Sequence, residues 1–241
     1  MVMSNKQTDA YPWPGASTQF AALAAVGAIG LIAAAWALVG EVTAVLLGGA
    51  LYGVAATVAF VGVTRSFPHR MIGLCNSATL MRLVMVGVLV AALVADAPPA
   101  WGVFGIALVA FSLDGLDGWL ARHEGRASEF GARFDMEVDS LLALVLALLA
   151  WQSGTVGTFV IILGLPRYAF WAAQFPFPWL NGTLPERFSR KVACVVQISA
   201  LVLALYPPVP ASLAGLVAAF AAIGLIWSFA VDVRFLRRAG A

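Results

Sequence analysis

Asp114, Asp117, Asp135 and Asp139 lie in the stretch SLDGLDGWLARHEGRASEFGARFDMEVDS, residues 112–140. It gathers seven carboxylates and three arginines in a chain where only 11% of residues are charged. The spacing predicts the ends of two helices joined by a turn near HEGRAS. On the first, Asp114, Asp117, Gly118 and Ala121 stand at i, i+3, i+4 and i+7, one helical stripe. On the second, Gly131, Asp135 and Asp139 stand at i, i+4 and i+8, again one stripe. Four carboxylates then face each other across a helix pair, and the small residues leave room between them. Carboxylates that repel one another at a membrane boundary need cations, and all-oxygen ligation suits Mg²⁺, Mn²⁺ or Ca²⁺ rather than zinc. Two such ions would relieve the repulsion and form a Lewis-acidic site for phosphate chemistry. Arg122, one turn beyond Asp117 and Gly118, is placed to take further phosphate oxygens as a planar fork. A solvated loop of scattered charge accounts for Glu124, Arg126 and Glu129, but not for two aspartate sets in helical register. Arg133 and Glu137 fall about 200° around their helix from Asp135, which predicts structural or interfacial roles.

The elements that position these residues are membrane helices. The chain has 241 residues, is 62% hydrophobic and has a mean hydropathy of +0.93. Soluble domains carry about 25% charged residues. The class predicted is an all-α integral membrane protein, a polytopic helical bundle, because a helix satisfies its own backbone inside lipid. Apolar segments at about 18–39, 43–63, 76–95, 100–113, 132–151, 155–175, 192–206 and 211–231 predict eight transmembrane helices, the fourth continuing as helix into the charged stretch. Lys6, Arg65, Arg70, Arg122, Arg126, Arg187, Arg190, Lys191, Arg234, Arg237 and Arg238 all fall on one side of this arrangement, and the opposite loops hold only Glu41 and Asp96. That bias predicts a cytoplasmic active site and cytoplasmic termini in a bacterial-type inner membrane. The predicted organisation is a cytoplasmic segment at 1–17, a transmembrane hairpin at 18–63, a core at 64–233 and a basic tail at 234–241. Within the hairpin, Gly49-x-x-x-Gly53 would permit close helix packing, but in a Gly-rich chain ordinary packing is the favoured reading. Cys75 and Cys194 fit no metal-ligand spacing and read as buried apolar thiols. The N-terminus does not resemble a cleaved signal peptide. No basic tract of the nucleic-acid-binding kind is present, so no nucleic-acid partner is expected.

The charged stretch resembles the CDP-alcohol phosphotransferase family, whose motif is D-x2-D-G-x2-A-R-x8-G-x3-D-x3-D. Asp114, Asp117, Gly118, Ala121, Arg122, Gly131, Asp135 and Asp139 match every fixed position and gap. The likeness extends more weakly over the six spans from about 76 to 231, with the hairpin at 18–63 outside the shared core. NSATLMR (Asn76, Thr79, Arg82) is similar to the Asn-x-x-Thr-x-x-Arg that often opens the family's first span. RKVACVVQ, 190–197, is similar to a Gly-Lys-x-Lys-Thr-x-x-Gln stretch of some members, keeping only Lys191 and Gln197. The resemblance implies transfer of a substituted phosphate from a CDP-linked donor, usually CDP-diacylglycerol, to an alcohol, with release of CMP. It implies that Asp114, Asp117, Asp135 and Asp139 surround two divalent cations, Mg²⁺ or Mn²⁺. Asp139 would also be the catalytic base. Arg122 would hold the donor's diphosphate, while Gly118, Ala121 and Gly131 let the nucleotide approach, with Asn76 and Thr79 as further contacts. Family members commonly pair, so a homodimer in the lipid bilayer is expected.

The acceptor is less legible. A phosphorylated alcohol needs its own cations, and Arg167 lies inside a span, where a charge is costly and functional by default. With Arg187, Arg190 and Lys191 it could form a second anion site. FDMEVD departs from the FDPVAD and YDSLAD styles of phosphatidylglycerophosphate and phosphatidylserine synthases. A phosphorylated polyol such as glycerol 3-phosphate is favoured; serine, inositol or another small alcohol stays open. The alternative from a different class is a divalent-cation or proton-coupled transporter, although transporters place such acids near the midplane on broken helices with internal repeats. A degenerate scaffold is disfavoured because every motif position is kept.

Overall fold

A computed structural model describes residues 15–124, 128–185 and 187–239; the side chains at 114, 116–124 and 239 lie outside the described set. The architecture is helical, with no strand among the described residues. The hairpin is α1 (Ala16–Val39) and α2 (Val42–Ser66), followed by α3 (Gly73–Val94), α4 (Ala100–Glu124) and α5 (Glu129–Gln152). Then come the short α6 (Ile161–Gly164) and α7 (Pro166–Ala173), and the closing pair α8 (Phe188–Ala204) and α9 (Ala211–Ala239). Among the described residues four helices are long and apolar enough to cross a membrane: α1, α2, α3 and the Ala211–Arg238 part of α9. Together with the family described below, they make this an integral membrane protein. Their outer faces expose Val26, Ile29, Val54, Leu216 and Phe220, apolar side chains that in water would be a liability and in lipid are at home.

The helix boundaries follow local chemistry. Gly40 ends α1 in the left-handed conformation, φ 66°, and returns its N–H to the Trp36 carbonyl, which lets α2 begin two residues later. Ser128 caps α5 by accepting the Gly131 N–H at 3.0 Å, so the second aspartate helix starts where the turn was expected. Helix α4 runs unbroken from its apolar part through the first aspartate set, as its spacing predicts. Helix α9 continues through Arg234, Arg237 and Arg238 to Ala239.

Two expectations are corrected. The segment 155–175 is not one continuous helix. Pro166 lacks an N–H and its ring clashes with the preceding turn, so α6 stops at Gly164 and α7 starts anew. Gly164 has a packing reason as well, because a Cβ there would lie 2.8 Å from the Leu144 Cα of α5. The break leaves carbonyls for a side chain to satisfy, and Gln197 Nε2 of α8 donates to the Leu163 carbonyl. Gly49 and Gly53 face open space, in keeping with the favoured reading; it is Gly48 that carries the close helix contact, against the Gly87 carbonyl of α3. The face of α2 that turns inward is built largely of small residues, Ala44, Gly48, Ala56 and Ala59 with Tyr52 between them, while Leu46, Leu47, Val54 and Val58 point outward. The second correction is that Cys75 is half-buried and Cys194 exposed, so neither is a buried thiol; a thiol on a lipid-facing surface carries no polar penalty that would drive it inward.

Helix α3 is the shared wall of the molecule. One side, with Leu80, Leu83 and Val84, packs on Phe20 and Tyr52 of the hairpin; the other, with Val86 and Leu89, packs into the core of α4, α5, α8 and α9. Tyr52 Oη donates to the Ala24 carbonyl at 2.8 Å, tying the hairpin together inside this apolar layer. The bundle has one charged end, where α3 and α5 begin and α2 and α4 finish, and an opposite end built around Trp101, Phe104 and Tyr206.

Candidate active site

At the charged end, α5 presents Asp135 and Asp139 one turn apart, and α3 presents Arg82 between them. The Arg82 side chain has no exposed surface, whereas those of Asp135 and Asp139 are 37% and 36% exposed. Arg82 Nη1 donates to Asp135 Oδ1 at 3.1 Å and also to Asp139 Oδ1. A guanidinium buried in an apolar layer is stable only when paired, and two carboxylates on one stripe repel less when a cation lies between them. The pairing therefore fixes the register of α3 against α5 and the direction in which both acids point.

Asn76 and Thr79 lie on the same helix, three residues apart and both buried. Asn76 Nδ2 donates to the Ile72 carbonyl at 2.7 Å, and Thr79 Oγ1 donates to the Cys75 carbonyl at 3.2 Å. The carbonyl oxygen of the Asn76 side chain has no hydrogen-bond partner despite its burial, and an orphaned buried acceptor of this kind requires an explanation. It lies against Gly131, where any Cβ would come within 2.9 Å of it. Gly131 is thus small for a reason internal to the fold, and the motif glycine and Asn76 form one contact.

The first aspartate set sits on the last turns of α4, beside the turn to α5. The side chains of Asp114, Asp117, Ala121 and Arg122, as well as Glu124, lie outside the described residues. Gly118 falls in the same stretch, and Arg126 and residues 1–14, Lys6 among them, are outside the described residues altogether. Among the described residues no group of three metal-ligating side chains occurs.

The residues expected to hold an acceptor are distributed over two carboxylates. Arg167, at the start of α7, pairs with Glu137 of α5, which joins the broken segment to the aspartate helix. Glu137 has the structural role its angular position predicts, and Arg133 likewise pairs with Glu129 at 2.5 Å along the exposed side of α5. Glu129 is therefore in the first turn of the helix rather than in the loop; a carboxylate there favours the helix N-terminus. Arg187 and Arg190, at the start of α8, both bind Asp232 of α9. Arg187 reaches it at 2.9 Å, and Arg190 grips both oxygens at 2.9 and 3.1 Å. Lys191 is exposed on the next position of α8.

Two residues of this end carry more than sequence reasoning assigned to them. Arg82 is an arginine inside a span, the same signal that singled out Arg167. Asp232 is the lone acid of the last helix, and its side chain is 7% exposed. An acid so placed needs a cation, but the sequence does not say which. Asp232→Ala is expected to cost about 1–3 kcal/mol, because it leaves two half-buried guanidiniums facing each other. Thermal unfolding in detergent would measure the loss, with Asp232→Asn intermediate; an unchanged melting point for Asp232→Ala would show that solvent replaces the carboxylate.

Comparison with known proteins places these residues in context. A model of the CDP-alcohol phosphatidyltransferase family matches residues 72–230, from just before α3 into α9, leaving the hairpin outside. Proteins named "Probable phosphatidylglycerophosphate synthase" from two strains of Mycobacterium tuberculosis are each 33% identical over 181 residues, 71% of this chain and 85% of theirs. The complete aspartate motif, with its second half gathered on Arg82 and its first half on the adjoining helix, falls inside the matched region. The chain belongs to the CDP-alcohol phosphatidyltransferase family.

Proposed function

We propose that the protein moves a phosphatidyl group from CDP-diacylglycerol to a phosphorylated polyol, with glycerol 3-phosphate the favoured acceptor, and releases CMP. The observation that carries this reading is the unbroken match of all eight motif positions within a chain of this family. The name of the mycobacterial relatives, phosphatidylglycerophosphate synthase, supports the choice of acceptor. The acceptor's hydroxyl oxygen attacks the phosphorus that bears the diacylglycerol, and Asp139 accepts its proton. The bond from that phosphorus to the CMP oxygen breaks, and CMP leaves with the electron pair. Arg122 holds diphosphate oxygens, and Gly118, Ala121 and Gly131 keep the helix faces low enough for the nucleotide. Asn76 and Thr79 border the same space, and the unpartnered Asn76 oxygen is an acceptor for a donor group on the ligand.

The donor set fits hard divalent ions: carboxylates on α4 and α5, with Asp135 and Asp139 still open to solvent beside their arginine. Asp114, Asp117, Asp135 and Asp139 would hold two of them, Mg²⁺ or Mn²⁺, which when bound would neutralise the diphosphate and the charge developing on CMP. Arg187 and Arg190 share the single carboxylate of Asp232, so the trio keeps one net positive charge for an acceptor phosphate, with Lys191 adjacent. Arg167, expected at the acceptor, is tied to Glu137 on the outer side of α5, so Arg187, Arg190 and Lys191 are the favoured acceptor contacts. We place the site and both termini on the cytoplasmic side, from the one-sided distribution of Lys and Arg, and count eight crossings, with α6 and α7 as a broken one. The transporter alternative has no observation behind it once the family is known. Serine and inositol are the competing acceptors.

The test is CMP release by the purified protein with CDP-diacylglycerol and Mg²⁺ or Mn²⁺, offering glycerol 3-phosphate, inositol phosphate, inositol and serine singly. Release that depends on glycerol 3-phosphate, with a phosphatidylglycerophosphate product by mass, is the expected result. Release that depends on serine or inositol instead would overturn the acceptor and leave the chemistry standing.

A further inference from the structure

The hairpin reaches the charged end through two neighbouring residues in the first turns of α1, Gln19 and Phe20, and each touches a different helix of the site. Gln19 Oε1 accepts the N–H of Ile72 at 3.2 Å. Ile72 is buried and stands immediately before α3, so its N–H has no carbonyl of that helix to bond to. A buried N–H so placed needs a partner, and the glutamine oxygen is an acceptor. The carbonyl of the same residue accepts from Asn76 Nδ2 at 2.7 Å. The backbone of Ile72 is thus held on both sides by amide side chains, one from the hairpin and one from α3. The two bonds also fix which way each amide faces, since Gln19 must turn its oxygen to a donor and Asn76 its nitrogen to an acceptor. With that nitrogen committed, the Asn76 oxygen lies against Gly131 of α5, buried and without a hydrogen-bond partner.

Phe20 makes the second contact. It is fully buried, and its ring meets Phe134 of α5 edge on at 6.1 Å and Phe60 of α2 at 6.5 Å. Phe134 immediately precedes Asp135 and lies three residues after Gly131. The first turns of α1 therefore close the seam between α3 and α5 from the hairpin side, within one turn of the place where Asn76 abuts Gly131. Both residues lie outside the region shared with the family, which begins at Ile72 itself.

We propose that Gln19 is a positioning residue for the CDP-linked donor: by holding Ile72 it sets the direction of the Asn76 side chain, and so of the oxygen that Asn76 presents beside Gly131. The hairpin is then a working part of the site as well as a pair of membrane helices. The inference rests on the donor reading given above and extends it to a residue that acts only through Asn76. Without the Gln19 oxygen the Ile72 N–H is left unsatisfied, and its peptide turns to find another partner. The carbonyl turns with it, and Asn76 loses the bond that orients its amide.

The experiment measures equilibrium binding of CDP to the full chain in detergent with saturating Mg²⁺. Melting temperature, and the Mg²⁺ concentration that gives half-maximal CMP release, are measured alongside. Gln19→Met keeps the length of the side chain and removes its acceptor, so its CDP dissociation constant should rise about tenfold, the equivalent of one lost hydrogen bond. The donor KM should rise in step, with kcat and the Mg²⁺ requirement within about twofold of normal. Gln19→Glu, which restores an acceptor oxygen, should bind CDP within about threefold of the unaltered protein. Tyr52→Phe is the control: it deletes the bond to the Ala24 carbonyl elsewhere in the hairpin, and should lower the melting temperature while leaving CDP binding unchanged. If Gln19→Met binds CDP as tightly as the unaltered protein, or if Tyr52→Phe weakens binding equally, Gln19 merely fastens the hairpin and the proposal is overturned. Binding by Gln19→Glu as weak as that of Gln19→Met would overturn it too. Should Gln19→Met fail to fold, Gln19→Asn, which keeps the amide and shortens its reach, faces the same outcomes. Failure of the unaltered protein to bind CDP at all would overturn the donor reading itself, and this inference with it.

Discussion

Asp139→Asn will leave the protein folded and able to bind donor, yet lower CMP release by about 10²–10⁴-fold, the range that a positioned general base contributes. The substitution keeps the shape of the side chain and an oxygen that can still accept from Arg82, so the α3–α5 contact survives. What it removes is the capacity to take a proton and one unit of negative charge. Melting temperature and retention of CDP-diacylglycerol, measured alongside turnover, separate this loss from unfolding. Asp135→Asn supplies the comparison: it too removes a charge that Arg82 contacts, but its main effect should be a higher requirement for Mg²⁺ or Mn²⁺. Turnover near the normal rate in Asp139→Asn would mean that another group deprotonates the acceptor.

Arg82→Met should have the largest effect on stability of any single change at this end of the bundle. Methionine is apolar and flexible enough to fill most of the space, but Asp135 and Asp139 would then share one stripe without the Arg82 guanidinium between them. Because both carboxylates are partly solvated, the cost is about 2–4 kcal/mol, below that of a fully buried orphaned charge. For a chain of this size that lowers the melting temperature by about 5–15 °C. Mg²⁺ should recover more of the loss in the variant than it adds to the unaltered protein, since a ligand that binds only the folded state stabilises it by mass action. Arg82→Lys should fall between the two, because a single ammonium does not reproduce a planar fork spanning two acids. If Arg82→Met melts like the unaltered protein, with and without Mg²⁺, the guanidinium contributes nothing to holding the two acids.

Much of this end of the molecule is legible without coordinates. Aspartates at helical spacing beside small residues read correctly as one face of α5, because a helix repeats every 3.6 residues whatever surrounds it. The opposite angle of Glu137 and Arg133 made them structural on the same geometry, and both are ion-paired along the outer side. The broken segment was the harder case. Residues 155–175 are apolar enough to count as one span, and hydropathy is blind to the missing N–H of Pro166 that divides it. The Gly49–Gly53 pair shows the other limit: a spacing permits close packing without choosing the face, and the side of α2 that meets α3 carries Gly48.

The sequence by itself determined the membrane setting, the helical class, the family and the aspartate stripe, since each depends on composition or on spacing along one helix. Only the tertiary structure decided the partners. That Arg82 holds Asp135 and Asp139, that Asp232 gathers Arg187 and Arg190, and that Asn76 abuts Gly131 are contacts between helices distant in sequence. Charge in lipid must be paired, which is a rule the sequence can state, but which acid meets which arginine depends on how helices rotate and slide to bury their apolar faces.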